Sequence, residues 1–348
     1  MNTTIKLSVL DQSPIRKGGT AAQAIQESVQ LARLADRLGY TRYWLSEHHN
    51  ITSLAGSTPE VLIAHLAGET HRIRLGSGGI MLPNHSALKV AENFRMLEIL
   101  FPGRIDLGMG RAPGGDRLTA ALLNPSNNFS EQDFVQQLID LQNFLTDNAE
   151  PGSIHEKVKA IPLAETVPDL WILTSSGQSG LVAAHFGMAL SFAHFINPVG
   201  GAQAVRAYQK RFKPSARFLK PEASVGIFVN CADTEEKASQ LQAVMDWQLL
   251  NIERGVSEGF PAFEQIKSHR YSHAELERIQ LNRGRMVSGT PDQVKEALEI
   301  LADAYEVEEI VVATITHDFA DRIRSYELLA EAFQLSAAPV DSSVGARN

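Results

Sequence analysis

A single cysteine, Cys231, stands among 348 residues. That excludes an internal disulfide and any multi-cysteine metal site, and it suits a reducing compartment. No apolar run reaches the ~18 residues of a membrane span. Met1-Asn2-Thr3-Thr4 leads into a strand-like stretch with none of the basic and apolar segments of a secretory leader. A cytoplasmic protein with no membrane partner is expected. Basic runs are missing too: 32 Lys and Arg stand against 40 Asp and Glu, a net charge of −8. No basic-aromatic interleaving offers a local nucleic-acid surface, so no nucleic-acid partner is expected. No Walker pattern ending in Gly-Lys-Ser/Thr occurs, and Gly177-Gln178-Ser179-Gly180 lacks the G-x-S-x-G nucleophile elbow. Gly108-x-Gly110-x-x-Pro113 lacks the third glycine of the dinucleotide fingerprint. ATPase and serine-hydrolase readings drop out.

What the chain does have is a regular alternation. Short apolar runs at 5–10, 43–45, 73–81, 104–109, 169–173, 188–192, 225–231 and 309–313 read as eight strands. Helical periodicity fills most gaps, at 20–38, 58–70, 86–100, 130–145, 198–212, 234–250, 289–302 and 318–333, with a short helix ending near Phe186. Residues 253–285 exceed a normal connection and read as an excursion or lid with some helix. Two stretches, before Ser130 and from Asp147 to Val167, carry no clear pattern. Without repeats or a Gly/Ser linker, this predicts an α/β chain forming a single (β/α)8 TIM barrel, residues 1–336, with loop insertions at the C-terminal rim. Residues 337–348 read as a loose tail.

In such a barrel the chemistry gathers where strands end. Those ends are Asp11-Gln12-Ser13, Glu47-His48-His49, Ser77-Gly78-Gly79, Arg111, Ser175-Ser176, Ala193-His194-Phe195 and Thr314 to Thr316. Arg111 brings a fork of donors matched to two oxygens of a phosphate. Ser175, Ser176 and Ser179 open a helix whose start favours an anion, and they come from the neighbouring strand end. His48 is the candidate acid/base group. His49 reads as a histidine hydrogen-bonded in the rim, and His85 as a residue of a connecting stretch. Zinc requires three or four convergent ligands, which the motifs do not supply, so no metal is expected.

These residues resemble the bacterial luciferase-like family of flavin-dependent monooxygenases, in its non-luminous branch. The resemblance runs over nearly the whole chain. It is carried by Leu45-Ser46-Glu47-His48-His49, Ile73-Arg74-Leu75-Gly76-Ser77-Gly78-Gly79, Arg104-Ile105-Asp106-Leu107-Gly108-Met109-Gly110-Arg111, Thr174-Ser175-Ser176-Gly177-Gln178-Ser179 and Thr314-Ile315-Thr316-His317-Asp318. It implies an oxidoreductase in which reduced FMN, supplied by a separate flavin reductase, and dioxygen oxygenate a small organic substrate. It implies that Arg111, Ser175, Ser176 and Ser179 hold the FMN phosphate, and that Ser77-Gly78 forms a bulge with a non-proline cis peptide under the flavin ring. His48 then acts as general base or hydrogen-bond donor, and the chain forms a homodimer. Gly110 stands where light-emitting members carry a cysteine, so light emission is not expected. Two alternatives stay open: a deazaflavin (F420)-dependent dehydrogenase or reductase on the same barrel, and a flavin-binding protein without turnover.

Overall fold

The computed structural model describes residues 5–126 and 128–336. The tail expected at 337–348 lies outside the described residues. The first half of the chain runs β1 (Lys6–Asp11), α1 (Ala21–Leu38), β2 (Arg42–Leu45), α2 (Pro59–Gly68), β3 (Arg74–Met81), α3 (Ala87–Leu100) and β4 (Ile105–Gly110). Then come α4 (Arg117–Leu123), α5 (Glu131–Thr146), α6 (Ile154–Lys157), β5 (Asp169–Thr174), α7 (Gly177–Phe186), β6 (Ala189–Ala193) and α8 (Gly201–Arg211). The chain continues with β7 (Ala223–Cys231), α9 (Glu235–Glu253), α10 (Phe263–Ile266), α11 (His273–Asn282), β8 (Met286–Gly289), α12 (Pro291–Tyr305), β9 (Glu309–Ala313) and α13 (Phe319–Ala332). No described helix is long and apolar enough to cross a membrane.

Strands β1 to β7 and β9 pair in parallel and close through β6–β7 and β9–β1, giving the expected (β/α)8 barrel. The ninth strand, β8, was not expected from sequence. It pairs with the far end of β7, Phe228 opposite Met286 to Cys231 opposite Gly289, beyond the residues that β6 covers. Residues 253–285 hold α10, α11 and a 3-10 turn. They are tied to the rim by His317 Nδ1 against the Phe260 carbonyl at 2.8 Å and by Lys17 N–H donating to the same oxygen at 2.9 Å.

Local rules explain the elements that sequence located well. Thr20 caps α1 in a reciprocal capping box with Gln23, and Gly39 ends it at φ 90°, its N–H donating to Ala35. In the barrel, alternate strand residues face opposite sides. Leu7, Val9, Tyr43, Leu45, Ile105, Leu107 and Ile172 pack under the helices. Leu10, Trp44, Trp171, Val311 and Ala313 belong to a second cluster inside the barrel. The interior of the lower end is ionic: Arg42 reaches Asp106 at 3.1 Å and Glu309 at 2.9 Å, while Arg74 reaches Asp106 at 2.6 Å and Asp169 at 2.9 Å. Charged residues thus fill the floor of the barrel.

The glycines of β3 lie where backbones meet. A Cβ on Gly79 would stand 2.4 Å from Leu173 Cδ1 and 2.7 Å from the Gly108 carbonyl. The cis peptide falls at Gly78-Gly79, not at Ser77-Gly78 as the resemblance implied, and the register with β4 shifts between Gly78 and Ile80. Ser77 itself keeps regular pairing opposite Leu107, and its hydroxyl donates to the Gly108 carbonyl at 2.8 Å. The irregularity is therefore confined to Gly78 and Gly79, while Gly76 keeps regular pairing opposite Asp106.

Candidate active site

At the C-terminal ends of the strands lies a cavity of about 370 Å³, within the usual size for a small-molecule site. Its inner wall is Leu10, Trp44, Leu173 and Val311; Gly78, Gly110 and Gly226 leave bare backbone; Phe195 and Ile196 close one side. His48, Arg111, Ser175, Ser176 and Ser179 all line this one space, joined by Gln12, Ser46, Glu47 and Ser191. Gly78 lines it as well, whereas Ser77 is fully buried beneath. None of residues 253–285 lines it.

The serine loop presents three hydroxyls at the cavity. Ser176 is the N-cap of α7 but makes no side-chain capping bond. The hydroxyls of Ser175, Ser176 and Ser179 have no hydrogen-bond partner among the described residues, although Thr174 Oγ1 donates to the Ser176 carbonyl at 2.8 Å and accepts from the Ser176 N–H at 3.1 Å. Asn197 Nδ2 donates to the Ser175 carbonyl at 3.1 Å and steadies the turn. Three hydroxyls thus face a cavity with their donors unspent, beside helix-start amides and a guanidinium. Arg111 is about one-third exposed, and its nearest counter-charge is Glu131, 3.8 Å away.

His48 presents a different chemistry. Its Nδ1 sits 3.0 Å from Ser46 Oγ, which leaves Nε2 for the cavity. Burial, set against the opposing charge of Glu47, pushes its pKa down from 6.5 to about 4. A ring shifted in this direction is held toward its neutral form, which can donate or accept a hydrogen bond.

Behind His48 lies a cluster that sequence reading missed. Glu47 Oε1 is 2.6 Å from His49 Nε2 and 2.8 Å from His85 Nε2, and Oε2 accepts from the Met81 N–H at 2.8 Å. His49 and Glu47 sit two residues apart, but His85 follows β3 and only the fold delivers it. Burial acts to raise the Glu47 pKa, yet the bonds from His85 and His49 outweigh it and hold the carboxyl below its ordinary value. His85 is carried above its ordinary value because the bond to Glu47 and its charge overcome burial. Three potential ligand atoms converge here within 4.8 Å. The two N···O distances are those of hydrogen bonds, shorter than the ~3.3 Å edges that a tetrahedral zinc site with ~2.0–2.1 Å bonds would have.

Other rim residues from the sequence reading do not join the cavity. Asp11 is buried in an ion pair with Arg322 at 2.7 Å and accepts from Tyr43 at 2.6 Å. Thr314 donates to the Val229 carbonyl and Thr316 to that of Asp318. His194 is held between Tyr305 and the Gly284 carbonyl, each at 2.8 Å, away from Glu47.

The chain is similar to known proteins over nearly its whole length. YwcH of Bacillus subtilis (strain 168) is 52% identical over 330 residues, covering 94% of this chain and 99% of that protein. The N-acetyl-S-alkylcysteine monooxygenase of the same organism is 34% identical over 330 residues, covering 94% and 98%. Among solved structures, apo-MsnO8 superposes with a TM-score of 0.88 at 38% identity, over 95% of this chain and 99% of that one. Two more distant structures share the fold: the FMN complex of the oxygenating constituent of 3,6-diketocamphane monooxygenase from Pseudomonas putida, TM-score 0.69 at 20% identity, covering 94% and 97%, and an F420-dependent secondary alcohol dehydrogenase, TM-score 0.65 at 11%, covering 95% and 99%. The family model of luciferase-like monooxygenases matches residues 5–305, and the chain belongs to that family.

Proposed function

We propose that this protein is an FMN-dependent monooxygenase that uses reduced FMN and dioxygen to oxygenate a small organic substrate. The observation that carries the reading is the unspent donor set, in which Arg111 and the hydroxyls of Ser175, Ser176 and Ser179 share one cavity with His48. In this reading those four residues and the α7 start hold the phosphate. Gly78 and His48, which line the same cavity, would then border the flavin ring, and Trp44, Leu173 and Phe195 would exclude water from it. The bound flavin supplies the two electrons and the oxygen chemistry. His48 would offer Nε2 to the reacting end, its ring oriented by Ser46 at Nδ1. The reduced flavin arrives from a separate reductase and the protein works as a homodimer in the cytoplasm; these features rest on family likeness. A substrate screen starts with thioethers, the class to which the named substrate of the 34%-identical relative belongs.

The test is an anaerobic titration with reduced FMN and, in parallel, reduced F420, followed by mixing with ¹⁸O-labelled dioxygen and the substrate panel. Tight FMN binding and one labelled oxygen in a product support the monooxygenase. Preference for F420 without oxygen incorporation would move the protein to the dehydrogenase reading. The variant His48→Ala is expected to keep FMN affinity while oxygenation falls by about 10²-fold or more; unchanged oxygenation would remove His48 from the chemistry.

A further inference from the structure

Among the described residues that line the cavity, Arg111 is the one lysine or arginine and Glu47 the one acid. Glu47 is spent: its side chain has no exposed surface, and its oxygens are engaged by His49, His85 and the Met81 amide. His48 is held toward its neutral form by burial. Once a phosphate takes Arg111, a second ligand in this space meets no free charge of either sign. The phosphate offers none itself, since Arg111, the serine hydroxyls and the start of α7 take its oxygens. A carboxylate or ammonium group brought in from water would lose hydration without gaining a counter-ion.

What the cavity offers a second ligand is an aromatic wall and neutral polar groups. The inward-facing positions of β7 run Ser224, Gly226, Phe228, the last in the cluster inside the barrel. A Cβ on Gly226 would stand 2.9 Å from Phe195 Cε1 and 3.2 Å from its Cδ1, so the missing side chain is what lets the Phe195 ring stand inside the barrel. The ring leans on Phe228, with centroids 5.1 Å apart. The backbone around it is spent. Phe195 N–H donates to the Gly226 carbonyl at 3.1 Å, its carbonyl accepts from Arg285 Nε at 2.6 Å, and Ile196 N–H donates to the Ala193 carbonyl at 3.0 Å. This turn therefore presents side chains alone, and Ile196 is 56% exposed. One layer deeper, Ser191 Oγ accepts from Ser224 at 2.9 Å and keeps its own hydrogen unspent, and the Gln12 side chain has no hydrogen-bond partner among the described residues.

We propose that the substrate held in this cavity together with the flavin is an uncharged molecule with an apolar, ring-sized body, and that Phe195 determines this specificity. The proposal rests on the monooxygenase reading, which commits Arg111 to the phosphate. A neutral polar group on the substrate finds Ser191 or Gln12; an ionised one finds no partner and loses affinity by about 10²-fold.

The experiment is calorimetric titration of the whole protein, saturated with FMN, at neutral pH. Its three probes share one shape: para-(methylthio)benzyl alcohol, para-(methylthio)benzoate and para-(methylthio)benzylammonium. The alcohol is expected to bind about 10²-fold more tightly than either ion. Phe195→Ala is expected to weaken the alcohol by about tenfold. Gly226→Ala, whose new methyl displaces the ring, serves as a second variant and must weaken the alcohol too. A preference for the alcohol under about tenfold over either ion overturns the proposal. So does failure of all three probes to bind, and so does an unchanged alcohol affinity in both variants. FMN binding is measured first: a protein that binds none refutes the monooxygenase reading, and the proposal falls with the phosphate at Arg111. Selective binding of the alcohol without labelled oxygen in any product refutes the monooxygenase reading alone and leaves the charge selectivity standing.

Discussion

Arg111 Nη1 stands 3.8 Å from Oε2 of Glu131, the first residue of α5, and Gln178 Nε2 donates to the same oxygen at 3.4 Å. A carboxylate is thus within reach of the guanidinium assigned to a phosphate. Both partners are well exposed, so their attraction is weak, while a bound phosphate would engage Arg111 through charge-assisted bonds. Arg111→Ala is expected to weaken FMN binding by roughly 1.5–3 kcal/mol and riboflavin binding far less. Glu131→Gln moves FMN the other way by less than about 1 kcal/mol. Parallel fluorescence titrations with FMN and riboflavin separate the two effects, and equal losses for both ligands in Arg111→Ala would place the phosphate elsewhere.

Packing at β3 and β4 gives a second expectation. A Cβ on Gly108 would come 2.2 Å from the Ser77 carbonyl, a backbone atom that cannot move without breaking the β3–β4 register. Gly108→Ala is expected to destabilise at or above the upper end of the ~1–3 kcal/mol range for overpacking. Ser77→Ala removes one buried hydrogen bond to the Gly108 carbonyl and costs about 1 kcal/mol. Urea unfolding of the two variants checks the order; Ser77→Ala costing more than Gly108→Ala would contradict it.

The barrel and the serine-rich start of α7 were legible because both depend on local signals. Strand runs, Thr20 and Gly39 at the ends of α1, and Ser175-Ser176 at a helix start are read within a few residues of chain. What was missed depends on contacts across the fold. β8 is only Met286-Val287-Ser288-Gly289, too short and mixed to show a strand pattern, and it exists because the end of β7 extends past β6. α4 and α6 have seven and four residues, below the length at which periodicity speaks. His85 reads as a linker histidine until β3 carries it back to Glu47. The cis peptide falls one residue later than expected, at Gly78-Gly79.

Two of the histidines around Glu47, His48 and His85, pull stability in opposite directions with pH. His48 binds its proton at about 4 in the folded chain against 6.5 for an ordinary histidine. As pH falls through that window the unfolded chain takes up the proton and the folded one does not, so stability declines by up to roughly 3 kcal/mol. His85 has a raised pKa, so its contribution is full below 6.5 and is lost as pH rises through the folded value. Unfolding free energy measured from pH 4 to 8 in His48→Gln is expected to lose the acid-side decline. In Glu47→Gln the loss on the alkaline side of 6.5 should disappear. A His48→Gln curve parallel to wild type would mean that His48 titrates normally.

The floor of the barrel separates stability from function. The Arg42 side chain is 6% exposed and bonds Asp106, Glu309 and Glu222, with its guanidinium 4.5 Å from the Trp171 ring centre. Asp106 and Glu309 are as buried as Arg42, but the Glu222 side chain is 40% exposed. Replacing Arg42 by Met therefore leaves the buried Glu309 without its cation and Asp106 with Arg74 alone, at 2.6 Å, which costs about 3–5 kcal/mol. Glu222→Gln removes a partner that water can replace, and costs less than about 1 kcal/mol. Both substitutions lie at the end of the barrel opposite Arg111 and the serine loop, so the folded fraction of each should bind FMN as the wild type does. Urea unfolding paired with FMN titration reads both quantities on one sample. If Arg42→Met weakened FMN as strongly as Arg111→Ala, the floor would be coupled to the rim through Trp44, whose indole donates to Asp106 at 2.9 Å while its ring lines the cavity.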